Sequence, residues 1–257
     1  MTFRLARPAL PPIARVGVVV WFASLMFLGA ARAQALNQFV GFGDSTADSG
    51  WYFTHPYNNN PAIQALYNSV RAAGGGIPTT VGGQMNTAIV SSLLGLTAFP
   101  VGEPGGTNYA AGGAVNIDYS NYSTLAPNTV SQIGTYLANN NGVANPNGLY
   151  FISSGGNDIR GAICPGGICA ANATQLALTS AADLDSAIAQ LHAAGARYFV
   201  VPILFGAGPG ASTNTSVAAI ERTYNQALYN GLASAGINFV PLSGKVIPPN
   251  SASSGRE

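Results

Sequence analysis

Three short apolar runs alternate with two helix-patterned runs in the second half of the chain, and this alternation limits the fold more than any other feature. The runs are Leu149-Tyr-Phe-Ile-Ser153, Arg197-Tyr-Phe-Val-Val-Pro202 and Ile237-Asn-Phe-Val-Pro-Leu242. Between them lie Ala181 to Ala194, stopped by Gly195, and Ser216 to Ala233, with Asn214 or Thr215 as its cap and Gly236 at its end. Asp183 and Asp185 then fall in the first turn of the earlier helix, where the helix dipole favours anions. Strands separated by helices imply βαβ units and a mostly parallel sheet covered on both faces, an α/β fold. Ligands of such sheets sit beyond the carboxyl ends of the strands.

The first half is less regular. Gln38 to Phe42 reads as a strand that stops in the tight turn Gly43-Asp44-Ser45. Trp51 to Gly83 reads mostly as loop, because Asn58-Asn-Asn-Pro61 and Gly74-Gly-Gly76 punctuate it. Thr87 to Leu94 has helical spacing and ends at Gly95; Val130 to Leu137 is a second helix, closed by Asn139-Asn-Asn-Gly142. Tyr109 to Val115 is small and apolar, interrupted by Gly112-Gly113.

The ends differ in composition from the middle. Arg4, Arg7 and Arg15 precede an apolar run from Val16 to Ala31, and Ala31-Arg32-Ala33 is a small-x-small cleavage pattern. Residues 1–33 therefore read as a signal peptide, and the chain as secreted or held in the cell envelope. The run is shorter than the roughly 20 residues of a spanning helix, so no membrane span is expected after cleavage. An uncleaved anchor is the alternative. Residues 34–242 form the expected domain. Residues 243–257 are rich in Ser, Gly and Pro without apolar periodicity and read as a disordered tail.

Charge excludes some partners. Only 7% of residues are charged and the chain holds one lysine, Lys245, so nucleic acid is not an expected partner. Cys164 and Cys169 flank a Pro-Gly-Gly turn and, in an oxidising compartment, are disulfide candidates; two free thiols are the alternative. No His or second Cys pair adjoins them, so no metal site is read there. No P-loop, H-E-x-x-H or dinucleotide fingerprint occurs, and no cofactor is expected.

Three polar clusters follow strands or adjoin glycine turns. Gly43-Asp44-Ser45 would expose a serine hydroxyl on a sharp turn. Asn108-Tyr-Ala-Ala-Gly-Gly113 would let backbone N–H groups approach a ligand. Gly155-Gly-Asn-Asp158 follows the strand at Leu149–Ser153, and its Asn157 amide can donate to a developing oxyanion or simply cap a helix.

In this order the three clusters resemble blocks one, two and three of the SGNH/GDSL hydrolase family, over about residues 37 to 242. Phe42-Gly-Asp-Ser-Thr-Ala-Asp-Ser-Gly50, Gly106-Thr-Asn-Tyr-Ala-Ala-Gly-Gly-Ala114 and Gly155-Gly-Asn-Asp158 carry the likeness, with Tyr198–Pro202 and Tyr224-Asn-Gln-Ala-Leu228 between blocks. Thr46 stands where the family usually has Leu. The Gly- and Asn-rich style is similar to exported bacterial members, including autotransporter passengers. The resemblance implies a three-layer α/β/α sandwich with a flavodoxin-like sheet. It implies ester hydrolysis of lipase or carboxylesterase type on a small-molecule or lipid ester, with carbohydrate O-deacetylation as a narrower option. Ser45 would be the nucleophile. Gly113, or Gly112 as second choice, would join Asn157 and the Ser45 N–H as oxyanion hole. Asp44 and Asp158 would hold turns, and Trp51, Tyr52 and Phe53 could line an acyl pocket.

A serine hydroxyl needs a base. The family takes it from a D-x-x-H block after the last strand, followed by a closing helix; neither pattern occurs here after Leu242. The chain thus reads as truncated or frameshifted near residue 243, lacking the last helix, and as weakly active or inactive. The two histidines are His55 and His192. His192 belongs at the end of the sheet away from the site, favoured there by a helix terminus. His55 is a weak alternative base. The competing function is a non-catalytic surface binding protein on a degenerate hydrolase fold.

Overall fold

Four strands, β1 (Gln38–Gly43), β2 (Gly148–Ser153), β3 (Tyr198–Val200) and β4 (Phe239–Val240), are hydrogen-bonded in that order, every pair parallel. They belong to a computed structural model that describes residues 35–55, 61–73, 83–204 and 214–241. The leader at 1–33 and the tail at 243–257, with the expected loss of the last helix, lie outside the described residues. No described helix is long and apolar enough to cross a membrane.

The other edge of β1 is also occupied. Gly41 N–H donates to Thr107 O (3.2 Å), Tyr109 N–H to Gly41 O (2.8 Å) and Ala111 N–H to Gly43 O (3.0 Å). Counting Thr107–Ala111 as a rudimentary strand, the spatial order by sequence is 2-1-3-4-5, that of flavodoxin-like doubly wound sheets. The chain leaves β1 in one direction and β2 in the other. The crevice between their carboxyl ends is therefore the expected ligand position.

Alternation along the strands sends side chains to two cores. Val40, Phe42, Tyr150 and Ile152 pack with α4 (Thr129–Asn139), α5 (Ala173–Ala193) and α6 (Thr215–Ser234). Phe39, Leu149, Phe151 and Val200 face the opposite side, against Ala98, Leu96 and Val90 of α3 (Asn86–Leu93). Two shorter pieces precede these, α1 (Trp51–Thr54) and α2 (Pro61–Ala72). The sheet is thus covered on both faces, in three layers.

Four expectations need correction. Residues 61–72 are helix, not loop: Pro61 sits at the first helical position, where its missing N–H costs nothing, so the Asn-Pro punctuation opens a helix. α5 begins at Ala173, eight residues before the expected Ala181, because small Ala173 and Ala177 continue the buried face. Asp183 and Asp185 consequently lie mid-helix and not in its first turn. β3 and β4 are shorter than the runs suggested; Pro202 and Pro241 follow them closely and bring no N–H to a ladder. Of the two candidate caps for α6, Asn214 serves: its Oδ1 accepts from the N–H groups of Ser216 and Val217.

Candidate active site

β1 ends at Gly43, and the N–H and C=O of this last residue are both held by one glutamine. Gly43 N–H donates to Gln132 Oε1 (2.8 Å), and Gln132 Nε2 donates to Gly43 O (3.0 Å). Gln132 is buried on α4. The turn that follows is built around Asp44, also buried. Its N–H donates to Ser153 O of β2, and its Oδ1 accepts from the Thr46 N–H (2.9 Å) and hydroxyl (2.7 Å). Burial raises the Asp44 carboxyl above its usual range, against hydrogen bonds from Thr46 and Gly156 and the charge of Arg160. Thr46 also shares a hydrogen bond with Ser153 Oγ (2.6 Å), so the residue that departs from the family's Leu links the two strand ends.

Ser45 projects from this turn half-buried. Among the described residues, nothing is hydrogen-bonded to its Oγ or to its N–H. Its neighbour is the glycine turn: a Cβ on Gly112 would lie 3.8 Å from Ser45 Cβ. Asp48 locks that turn in place. Its Oδ1 accepts from the N–H groups of Gly50 and Trp51, its Oδ2 from Gly112 N–H, each at 2.7 Å. Burial pushes Asp48 up to about 6, partly offset by those three N–H groups and reinforced by Asp44. The Tyr52 hydroxyl donates to Gly112 O (2.6 Å).

With its N–H spent on Asp48, Gly112 is not the free donor. Gly113 N–H has no acceptor among the described residues. Gly113 adopts φ +91°, and a Cβ there would come 2.9 Å from Thr124 Oγ1, so both backbone and space require glycine.

β2 delivers the third cluster. Ser153–Gly156 leaves its carboxyl end, and Asn157 Nδ2 donates to Ala114 O (2.8 Å), which brings the amide beside the glycine turn with one N–H to spare. The next residue, Asp158, opens a π-type turn, Asp158–Ile163, of the kind often found at functional sites. Its carboxylate accepts from Asn116 N–H, the Tyr119 hydroxyl (2.9 Å) and the Ser180 hydroxyl (2.8 Å). Burial lifts it to about 6. Asn116 Nδ2 in turn donates to Ser180 and to the Tyr224 hydroxyl (2.7 Å), which donates to Ser154 O (3.1 Å). α5 and α6 thereby hold the second and third clusters at a set separation.

Ser45, Gly113 and Asn157 are thus brought together; other nominated residues are not. His55 is exposed, stacked on Trp51 at 3.7 Å between ring centroids, and its Nδ1 contacts Thr54 Oγ1 and Trp51 O. His192 lies at the end of α5, beside Phe199 of β3. Neither ring is hydrogen-bonded to Ser45. The aromatic trio faces three ways: Trp51 packs on Ala111, Ala114 and Ala126, Tyr52 reaches Gly112, and Phe53 lines a separate groove. Cys164 and Cys169 are joined in a disulfide after the π-type turn.

A half-exposed serine hydroxyl beside unspent N–H donors is suited to attack on a carbonyl whose oxygen becomes charged. Residues 39–248 match the family described as GDSL-like lipase/acylhydrolase. The chain belongs to that family. This GDSL-like chain is 29% identical over 215 residues to Lipase 1 of Photorhabdus luminescens, covering 79% of this chain and 29% of that protein. It is 29% identical over 227 residues to an uncharacterized protein in the trpE-trpG intergenic region of Pseudomonas putida, covering 79% of this chain and 35% of that one. The chain therefore spans about a third of the length of these curated relatives.

Sequence reasoning missed Asp48, Asn116 and Gln132 in this GDSL-like site. Gln132 had a usable signal: it falls on the buried face of α4 with Ile133 and Tyr136, where a polar side chain must find partners. Asp48 and Asn116 had none, since turns are full of such residues.

Proposed function

We propose that this chain is a serine ester hydrolase in which Ser45 Oγ attacks the ester carbonyl carbon. The carbonyl oxygen takes up the negative charge, facing the N–H groups of Ser45 and Gly113 and the spare N–H of Asn157. Collapse breaks the ester C–O bond and leaves an acyl group on Ser45; the proton lost from Ser45 Oγ passes through solvent to the departing alcohol oxygen, and water then removes the acyl group as the free acid. The observation that carries this reading is the set of unspent donors gathered beside an unbonded serine hydroxyl at the carboxyl ends of β1 and β2.

Neither imidazole is joined to Ser45, so we expect slow turnover by these 257 residues. The same observation favours the second reading, a binding protein on a hydrolase fold. We also propose export through the leader; the Cys164–Cys169 disulfide supports it, since such bonds persist in oxidising compartments.

Hydrolysis of p-nitrophenyl butyrate by the purified chain, beside its Ser45→Ala variant, separates the readings. Turnover that vanishes in Ser45→Ala supports the hydrolase, and makes His55→Ala the next variant. Equal rates for the two folded proteins leave the binding protein.

A further inference from the structure

Away from Ser45, a groove of about 590 Å³ runs between α1, α2, α3 and the segment 96–104. Met85, Ala88 and Ser92 line one wall, and Phe53, Ala98 and Pro100 help form the others. Ser45, Gly113 and Asn157 take no part in it. Arg71 and Glu103 close one end as an ion pair, with the guanidinium 5.2 Å from the centre of the Phe53 ring. From Ala72 to Gly102 the sequence holds no charged residue.

We propose that this groove is a second binding site that takes a single straight acyl chain. That the chain is acyl rests on the acylhydrolase reading; the binding itself requires nothing of Ser45. Size agrees, since small-molecule sites run from about 300 to 1,000 Å³. Shape points to a linear ligand. Met85 stands immediately before α3, and Ala88 and Ser92 lie at i, i+4 on one of its faces, so the three line the groove over about 10 Å at roughly 1.5 Å per residue. Ala88, Ser92 and Ala98 are too small to fill the space, and Met85 can adjust to what does.

The electrostatics select a neutral chain. Among the described residues, the charged side chains on the groove, Arg71 and Glu103, are committed to each other, so a charged headgroup finds no unpaired partner in them. The rim continues apolar: Ile89 and Leu93, one helical turn apart and adjoining the 88/92 face, are 42% and 80% exposed. A chain can therefore enter from an apolar surface with its polar end in water. α1 is the wall common to both sites, with Phe53 in the groove and the Tyr52 hydroxyl on Gly112 O beside Ser45. The chain can come with the ester substrate or remain as the freed acid.

The test is calorimetric binding to the purified Ser45→Ala chain, where no turnover interferes. Methyl hexanoate, octanoate, decanoate and dodecanoate are compared with sodium decanoate. Affinity is expected to rise about fourfold per methylene and then level off as the groove fills. Ser92→Phe and Ala88→Phe, checked for folding by thermal melts, should each weaken binding at least tenfold, while Leu93→Phe on the rim should change it less than threefold. The ester and the acid of equal length should bind alike. No binding by the folded protein, or binding indifferent to both groove-filling variants, overturns the proposal. So does a preference for the acid that is lost in Arg71→Gln. Binding without hydrolysis by the unmutated chain leaves the groove standing while the hydrolase reading fails; hydrolysis without binding does the reverse.

Discussion

Asp48 Oδ2 accepts the Gly112 N–H at 2.7 Å across 64 residues of sequence, and its other oxygen gathers the N–H groups that start α1. One carboxylate thus positions the serine turn and the glycine turn together. It also spends the Gly112 N–H, which is why the proposed mechanism draws its oxyanion donor from Gly113.

Asp48→Asn should lower stability by about 1–3 kcal/mol, since an amide cannot accept all three N–H groups and one buried donor is left unpaired. Its pH signature is distinct. The folded carboxyl titrates near 6 against 3.8 for a free one, so its contribution to stability is complete below about pH 4 and lost as pH rises through 6. Urea midpoints measured from pH 4 to 8 should show less of this decline in the variant.

Gly113→Ala meets both the φ of +91° and the nearby Thr124 hydroxyl. Any Ser45-dependent ester turnover should fall about 10²-fold or more as the donor shifts. Adding Thr124→Ala relieves the contact but not the backbone, so the double variant should recover only part of the loss. Full recovery, in stopped-flow or steady-state assays, would sink the strain argument.

Tyr224→Phe removes a hydroxyl that accepts from Asn116 and donates to Ser154 O, while the ring still fills the space against Gly155. A stability loss of about 1–3 kcal/mol is expected from the two partners left dry. Thermal melting should show it without loss of the far-ultraviolet helix signal.

Asp185 sits on α5 against Gly231 of α6, with Oδ1 buried and unpartnered, and burial pushes it up to about 7. Ionisation therefore works against folding, and stability from this group declines between about pH 4 and pH 7. Asp185→Asn should flatten that decline. A variant whose urea midpoints track the original chain across this range would refute the assignment.

The parts of the fold legible in sequence were those carried by local contrast. β1, β2 and the turns after them stand out because apolar runs stop abruptly at Gly-Asp-Ser and Ser-Gly-Gly-Asn, and those same turns hold Ser45 and Asn157. The start of α5 did not stand out, because alanine buries well while adding little to an apolar pattern. α2 was hidden by the Asn and Gly residues that bracket it. The long-range linkages of Asp48, Asn116 and Gln132 depend on partners 42 to 108 positions away, which no window along the chain contains.

The parallel order of the sheet also separates the molecule's two rims. All the site residues leave the carboxyl ends of the strands, whereas the exposed turn at Asn139–Val143 sits at the amino ends, about 20 Å away along a six-residue strand. That turn is a natural handle. A dye, an affinity tag or a bead coupled there would hold the protein by its back, leaving Ser45 facing the solution, and every molecule on such a support would point the same way.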